Sequence, residues 1–402
     1  MRVDTQSAPA DILLVSNGFG ETAIATYVAR AIHAQEPAAR IEHFPLVGRA
    51  RADTWPPVVG PQRDMPSGGL VTAWNLRNLA ADVRAGLAGL TLQQLRYLKR
   101  QRFRDVVVAV GDVYCLALCL IGAGRPTVFV ATAKSELVAP HSGIERAIAR
   151  RAVAAFARDE PTAASLRAAG IRAQYAGNIM MDGLQASGAD LGLRPGALTI
   201  AVLPGSRADA ASTAAMQIGQ LCAIAAILAG RGRPVQAYFS IAPSVDAQRV
   251  RDAIRQSGVE LPALVEHEGV IARGRRDNLE VALVRGGFGD MLEAAEIVLG
   301  QAGTANEQAA GCGKPVIAAV QPGEAPEKMH WYRMRQKRLL GDALLVLPAQ
   351  PQLFAAEVVR LIDDSQRMLH MSAVGRERMG RPGGASAVAA MALSIAARAA
   401  RA

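Results

Sequence analysis

The chain has 402 residues, half of them hydrophobic and 4% aromatic, and Lys plus Arg exceed Asp plus Glu by 45 to 35 for a formal charge of +10. That length is more than one hydrophobic core ordinarily holds, so two domains are expected. The positive charge favours an anionic partner; scarce aromatics and the lack of a nucleic-acid motif argue against nucleic acid and for a phosphorylated small molecule or an acidic membrane surface.

The polar start MRVDTQSAPAD runs into ILLVS without the basic, apolar, small-residue order of a signal peptide. The most apolar run, VYCLALCLIGA, is about half of what crosses a bilayer, so a cytoplasmic protein, soluble or peripheral, is expected. Next come a helix over about 21–36 and the apolar runs IEHF at 41–44, DVVVAV at 105–110, TVFVA at 127–131 and AVAAFA at 152–157. Apolar runs alternating with helix-length segments imply βα units and a parallel sheet, and consecutive valines suit a strand buried on both faces. The stretch GNIMMDGLQASGADLGLRPGA, rich in glycine and turn residues, places a domain boundary near 178–197.

The pattern restarts with LTIAVLPGSR at 198–207 and an Ala-rich helix to about 229, followed by VQAYFSIA, LEVALV, EIVLG, PVIAAV and ALLVL. After residue 365 the chain reads as helices with a break at GRPGGAS. The fold class is therefore α/β, two Rossmann-like doubly wound domains facing a cleft, with ligands expected at the carboxyl ends of the strands. The four cysteines, Cys115, Cys119, Cys222 and Cys312, lack metal-site spacing and read as reduced core residues.

In EIVLGQAGTANEQAAGCGKPV a strand, a loop and a helix start follow one another, and the N–H groups of such a start can receive a phosphate. Gly303 lets the backbone approach and Thr304 adds a hydroxyl donor. Glu307 is unfavourable beside a phosphate and suits the neutral hydroxyls of a ribose; as a first-turn acid it also suits the helix dipole alone. In LTIAVLPGSRADA, Gly205 and Ser206 put donors at a strand end, and Arg207 can grip a diphosphate with two prongs or simply be solvated.

The pairing of LPGSR with DMLEAAEIVLGQAGTANEQAAGCGKPV, together with AGNIMMDGL and RMGRPGGAS, resembles the GT-B glycosyltransferases, and within them the lipid A disaccharide synthase-related proteins. The resemblance implies an N-terminal acceptor-side domain over 1–183, completed by 383–402 with the last helix returning to it, and a nucleotide-sugar domain over 184–382. It implies that Arg207 contacts the diphosphate of a UDP-sugar, that Gly303 and Thr304 line that site, and that Glu307 holds the ribose. SNGFGETAIA resembles the family's glycine-rich first loop, so Asn17, Gly18, Gly20 and Glu21 are acceptor-side or cleft residues; Asn17 and Phe19 stand where the family has small or acidic residues. His330 lies where related enzymes contact the donor.

Asp112, at the end of the valine strand, can take a proton from an acceptor hydroxyl, and equally can cap the helix beginning at Val113. Lys134, Ser135 and His141 follow another strand and can line the acceptor side; Lys134 can bind an acceptor phosphate, assist the leaving group or stand in solvent. Asp363 and Asp364 close a helix and make a poor metal pair, so neither metal nor cofactor is expected. Residues 70–104 space Leu76, Leu79, Val83, Leu87, Leu92, Leu95 and Leu98 among Arg77, Arg84, Arg96, Lys99, Arg100, Arg102 and Arg104, with Trp74 at one end. That is a basic amphipathic segment for an anionic membrane, or a core-packed helix with a charged outer face. The expected activity is sugar transfer from a UDP-sugar to a lipid or glycolipid acceptor. The alternatives are a UDP-sugar 2-epimerase of the same fold, or a non-catalytic relative that binds nucleotide sugar or lipid.

Overall fold

The computed structural model describes residues 9–48, 54–63, 84, 86–206, 209–265, 267–320 and 331–399. The chain forms two compact units, Met1–Gly183 with Arg381–Ala402, and Leu184–Gly380.

The first unit runs β1 (Asp11–Ser16), α1 (Phe19–Gln35), β2 (Arg40–Pro45), α2 (Leu87–Lys99), β3 (Val106–Gly111), α3 (Val113–Gly122), β4 (Thr127–Ala131), α4 (Gly143–Ala149), β5 (Ala154–Ala157), α5 (Glu160–Ala168), β6 (Ala173–Gln174) and α6 (Ile179–Asp182). Its six strands pair in the order β2-β1-β3-β4-β5-β6, all parallel. Successive strand side chains face opposite ways, so β3 feeds two cores. Val106, Val108 and Val110 join Ile12, Leu14 and Val28 on one face, while Val107 and Ala109 join Leu13, Leu98 and Leu116 on the other. Helices cover both faces, which is why a run of valines with no polar alternation folds as a strand.

The second unit continues with β7 (Leu198–Leu203), α7 (Ala210–Ala229), β8 (Val235–Ser240), α8 (Ala247–Arg255), β9 (Gly269–Arg276), β10 (Leu279–Arg285), α9 (Phe288–Ala294), β11 (Ile297–Gly300), α10 (Thr304–Gly311), β12 (Val316–Ala319), α11 (Trp331–Leu340), β13 (Leu344–Leu347), α12 (Pro351–Asp363) and α13 (Ser365–Met379). The seven strands lie in the order β13-β12-β11-β7-β8-β10-β9, and β9 alone runs antiparallel to its neighbour. This edge hairpin, closed through Asp277 in the left-handed region (φ 49°), was not anticipated, because GVIARGRR carries charge where a buried strand would be apolar. α7 is by length and composition able to cross a membrane, yet Ile218, Leu221, Ile224 and Leu228 are buried against the sheet as a core helix.

The last helix, α14 (Gly384–Ala399), belongs to the first unit and packs Val388, Ala389 and Ala392 into the core that holds α1. Small side chains permit that close approach. The Asp182 carboxylate accepts from the backbone N–H of Gly383 and Ala385 and pins the helix start. In the second unit Asp290 clamps the entering chain, accepting from Ser187 Oγ at 2.9 Å, Gly188 N at 2.7 Å and Ala189 N at 3.1 Å.

The basic segment needs one correction. Residues 64–83 and 85 lie outside the described residues. In α2, Leu87, Leu90 and Leu98 are buried and Leu92 is exposed. Arg104 is not part of a solvent face: it is 5% exposed and ion-paired to both Asp11 and Glu42. Acids distant in sequence draw it inward, which local spacing cannot reveal.

Candidate functional site

In each sheet the chain leaves its first strand to one side and returns on the other, at β1/β3 in the first unit and β7/β11 in the second. Loops at the carboxyl ends of the strands diverge at such a switch point and leave a crevice for a ligand. Among the described residues, Asn17, Gly18, Gly20, Glu21 and Asp112 follow β1 and β3, and Gly205, Ser206, Gly303, Thr304 and Glu307 follow β7 and β11, while Lys134 follows β4.

In the first unit β1 ends at Ser16 and the chain turns through Asn17 and Gly18 into α1. Gly18 sits at φ 113°, in the left-handed region that favours glycine, and no side chain caps α1. Gly20 lies half-buried in the first turn. Asn17, 1% exposed, donates its amide to Asp112 Oδ2 at 3.0 Å. The other Asp112 oxygen accepts from Cys115 N at 2.9 Å, so Asp112 does cap α3. Gly111, at φ 127°, brings the backbone so near α1 that a Cβ there would lie 3.0 Å from Glu21 Cγ.

Glu21 and Asp112, each half-buried, are thus brought near one another at this turn. Burial pushes Glu21 up to about 7, reinforced by the Asp112 charge and opposed by its own backbone hydrogen bond and by Arg158. Burial likewise pushes Asp112 up to about 6, against the stabilising N–H groups of Cys115 and Asn17. Beneath the loop, Ser16 Oγ lies 2.8 Å from His43 Nε2 and 3.0 Å from Thr22 Oγ1, and burial brings His43 down to about 4, so its ring is neutral at pH 7.

Lys134 is half-buried and pairs with Glu145 at 2.7 Å, and Glu145 also closes the capping box of α4 with Ser142. The buried Ser135 hydroxyl accepts from Leu137 N at 3.2 Å within its own turn, and His141 is 5% exposed.

In the second unit Leu203 and Gly300 pair across β7 and β11, so the loops that follow start side by side. Gly205 has φ 102°, and a Cβ there would come 3.9 Å from Gln301 O; Ser206 is exposed and its carbonyl accepts from Ser244 Oγ at 3.0 Å. Gly303 is the N-cap of α10 and no side chain caps that start; Thr304 is exposed and Glu307 half-buried in the first turn. Arg207 and His330 lie outside the described residues. Asp363 ends α12 and pairs with Arg231 at 2.8 Å, while Asp364 caps α13 by accepting from Arg367 N.

Sequence reading missed the polar layer under this loop. Asn306, buried, donates to Gly300 O and to Gln336 Oε1, each at 3.1 Å. Gln336 Nε2 reaches Ala302 O at 3.1 Å and Gly303 O at 3.0 Å. Arg333 holds Gln301 Oε1 at 3.0 Å, and Gln301 Nε2 donates to Ala319 O. The available signal was an amide or guanidinium, Gln336 or Arg333, inside an otherwise basic helix in which, among the described side chains, Arg333, Gln336, Leu339 and Leu340 are buried.

No protein-family model matches the chain, and no curated protein matches it. Solved structures do. A MurG from Acinetobacter baumannii superposes with a TM-score of 0.58 at 12% identity, covering 96% of this chain and 100% of its own. A Neisseria meningitidis UDP-GlcNAc 2-epimerase bound to UDP-GlcNAc gives 0.56 at 13% identity, over 96% and 99% of the two chains. A calicheamicin glycosyltransferase gives 0.59 at 16% identity, over 96% and 98%. At these identities the likeness speaks for the fold, which is GT-B: two α/β domains, each built on a sheet that is parallel apart from the edge strand β9.

Proposed function

We propose that this chain is a glycosyltransferase that moves a sugar from a UDP-linked nucleotide sugar to a hydroxyl of a lipid or glycolipid acceptor, without a metal ion, in the manner of the lipid A disaccharide synthases. The observation that carries the reading is the pair of neighbouring half-buried carboxyls in the first unit, Asp112 held by Asn17 and the Cys115 N–H, with Glu21 near it raised to about 7. Two neighbouring carboxyls both raised toward neutrality can divide the roles of base and hydrogen-bond donor.

In the proposed step the acceptor oxygen forms a bond to the anomeric carbon and its proton passes to Asp112. The bond from that carbon to the diphosphate breaks, and its electron pair leaves with the nucleotide. Growing negative charge on the diphosphate is met by the uncapped start of α10 at Gly303 and Thr304, by Gly205 and Ser206, and by Arg207; this electrostatic contribution is the larger one. Glu307 takes the ribose hydroxyls and His330 contacts the donor. Asn17, Gly18, Gly20 and Glu21 seat the acceptor.

Peripheral contact with an anionic membrane, on the cytoplasmic side, belongs to the same proposal. Arg96, Lys99, Arg100 and Arg102 accompany exposed Leu92, Phe103 and Ile121, a basic and apolar combination suited to such a surface. The purified protein is tested with labelled UDP-GlcNAc and a membrane extract: transfer of label to lipid supports the proposal, and unchanged transfer in an Arg207→Ala variant removes that residue from the mechanism.

A second reading, epimerisation at C2 of a UDP-sugar, is favoured by the equal likeness to the epimerase structures and by the same carboxyl pair, since removing and returning a proton at carbon also needs two such groups. Incubation with a UDP-sugar alone separates the two, because an epimerised product formed without acceptor excludes the transferase.

A further inference from the structure

The amide layer beneath the loop after β11 has a direction as well as a position. In a trans peptide the carbonyl and the following N–H point opposite ways. Ala302 O and Gly303 N–H share one peptide plane, and Gly303 O and Thr304 N–H share the next. Gln336 Nε2 takes both carbonyls, at 3.1 and 3.0 Å. Holding Ala302 O on the Gln336 side turns the Gly303 N–H to the opposite side, and Gly303 O, held by Gln336 together with Asn306 N at 3.1 Å and Glu307 N at 3.3 Å, does the same for the Thr304 N–H.

The orientation of the Gln336 amide follows from its neighbours. Carbonyls only accept, so the group facing Ala302 and Gly303 must be the NH2, and Gln336 Oε1 is left to accept from Asn306 Nδ2 at 3.1 Å. Asn306 is fixed in turn by Gly300 O, and Gly300 has no space for a Cβ because the Asn306 side chain fills it. Gln336 and Asn306 are 5% and 1% exposed, so water does not compete for these bonds.

We infer that Gln336, anchored by Asn306, is the positioning residue of the diphosphate site: it aims the Gly303 and Thr304 N–H groups at the anion and keeps the carbonyls of Ala302 and Gly303 turned from it. The inference rests on the nucleotide-sugar reading of this loop. Gln336 touches no substrate and acts through the backbone.

The test is calorimetric binding of UDP and of UMP to the full chain, wild type against Gln336→Met, with Asn306→Ala as a second variant that removes the anchor. UDP affinity is expected to fall about tenfold in Gln336→Met, as for loss of hydrogen bonds to a charged group, and UDP's advantage over UMP to shrink with it. Asn306→Ala is expected to shift the same ratio in the same direction, by about threefold. A merely structural role lowers the melting temperature and the binding-competent fraction but leaves the UDP-to-UMP affinity ratio as in the wild type; an unchanged ratio in both variants overturns the inference. Wild-type protein that binds no UDP overturns the nucleotide reading and the inference together, a result distinct from wild-type binding with an unchanged variant ratio.

Discussion

Asn17 donates its side-chain N–H to Asp112 Oδ2 at 3.0 Å, so a single hydrogen bond ties the loop after β1 to the loop after β3. With Cys115 N on the other oxygen, the Asp112 carboxylate is fixed in plane and direction at the point where the strands of the first unit diverge.

Asp112→Asn separates the two roles of this residue. Asparagine caps a helix about as well as aspartate but is no base, so turnover is expected to fall about 10²- to 10⁴-fold while the melting temperature stays near that of wild type. Asn17→Ala removes a bond that favours the ionised carboxylate, and the acidic limb of the kcat/KM profile should move up by about 0.5 to 1 pH unit. Steady-state kinetics across pH 5–9 check both; an unmoved limb would mean that Asp112 does not set it.

Stability should depend on pH in a direction fixed by burial. Glu21 is raised from 4.5 to about 7, so its contribution is complete below pH 4.5 and is lost as pH rises through about 7. Asp112 adds the same sign between 3.8 and about 6, whereas His43, lowered to about 4, stabilises above 6.5 and loses that contribution as pH falls through about 4. Glu21→Gln is expected to remove up to about 3 kcal/mol of the decline between pH 5 and 8. Denaturant unfolding at several pH values measures it, and parallel curves for the two proteins would contradict the assignment.

The central sheet strands of both units were legible from the sequence because strands buried on both faces show largely apolar runs, as VVVAV and LTIAVL do, whereas the two-residue strand β6 leaves no such run. The hairpin strand β9 was not, since an edge needs no such run. Arg104 was misread for a different reason: Asp11 and Glu42, which neutralise it, stand 93 and 62 residues away in sequence. The glycines and acids at the strand ends were visible as residue types, but the bond from Asn17 to Asp112 and the support of Gln336 beneath Gly303 depend on which strands become neighbours.

Arg104 offers a direct check of that tertiary effect. Arg104→Ala leaves Asp11 and Glu42 without their shared cation, and a loss of about 2 to 4 kcal/mol is expected, reduced from the fully buried case because Glu42 is partly exposed. An equilibrium unfolding curve indistinguishable from wild type would show the cluster to be a surface network.

Two glycine substitutions should differ sharply. An Ala side chain at Gly300 collides with Asn306, so Gly300→Ala is expected to cost about 1 to 3 kcal/mol and to weaken UDP binding. Gly89, within α2, has nothing within 4 Å, and Gly89→Ala should stabilise by about 0.5 to 1 kcal/mol without touching nucleotide affinity. Thermal unfolding with and without UDP distinguishes them.

The central claim is sugar transfer, and it is tested most directly by incubating the purified protein with radiolabelled UDP-GlcNAc and related UDP-sugars, with and without a membrane extract, and following label in both the organic and the aqueous phase. The account predicts lipid-extractable label that requires the extract, accompanies UDP release and disappears with Asp112→Asn. An epimerised UDP-sugar formed in the absence of extract, or nucleotide binding with neither transfer nor hydrolysis, would contradict it.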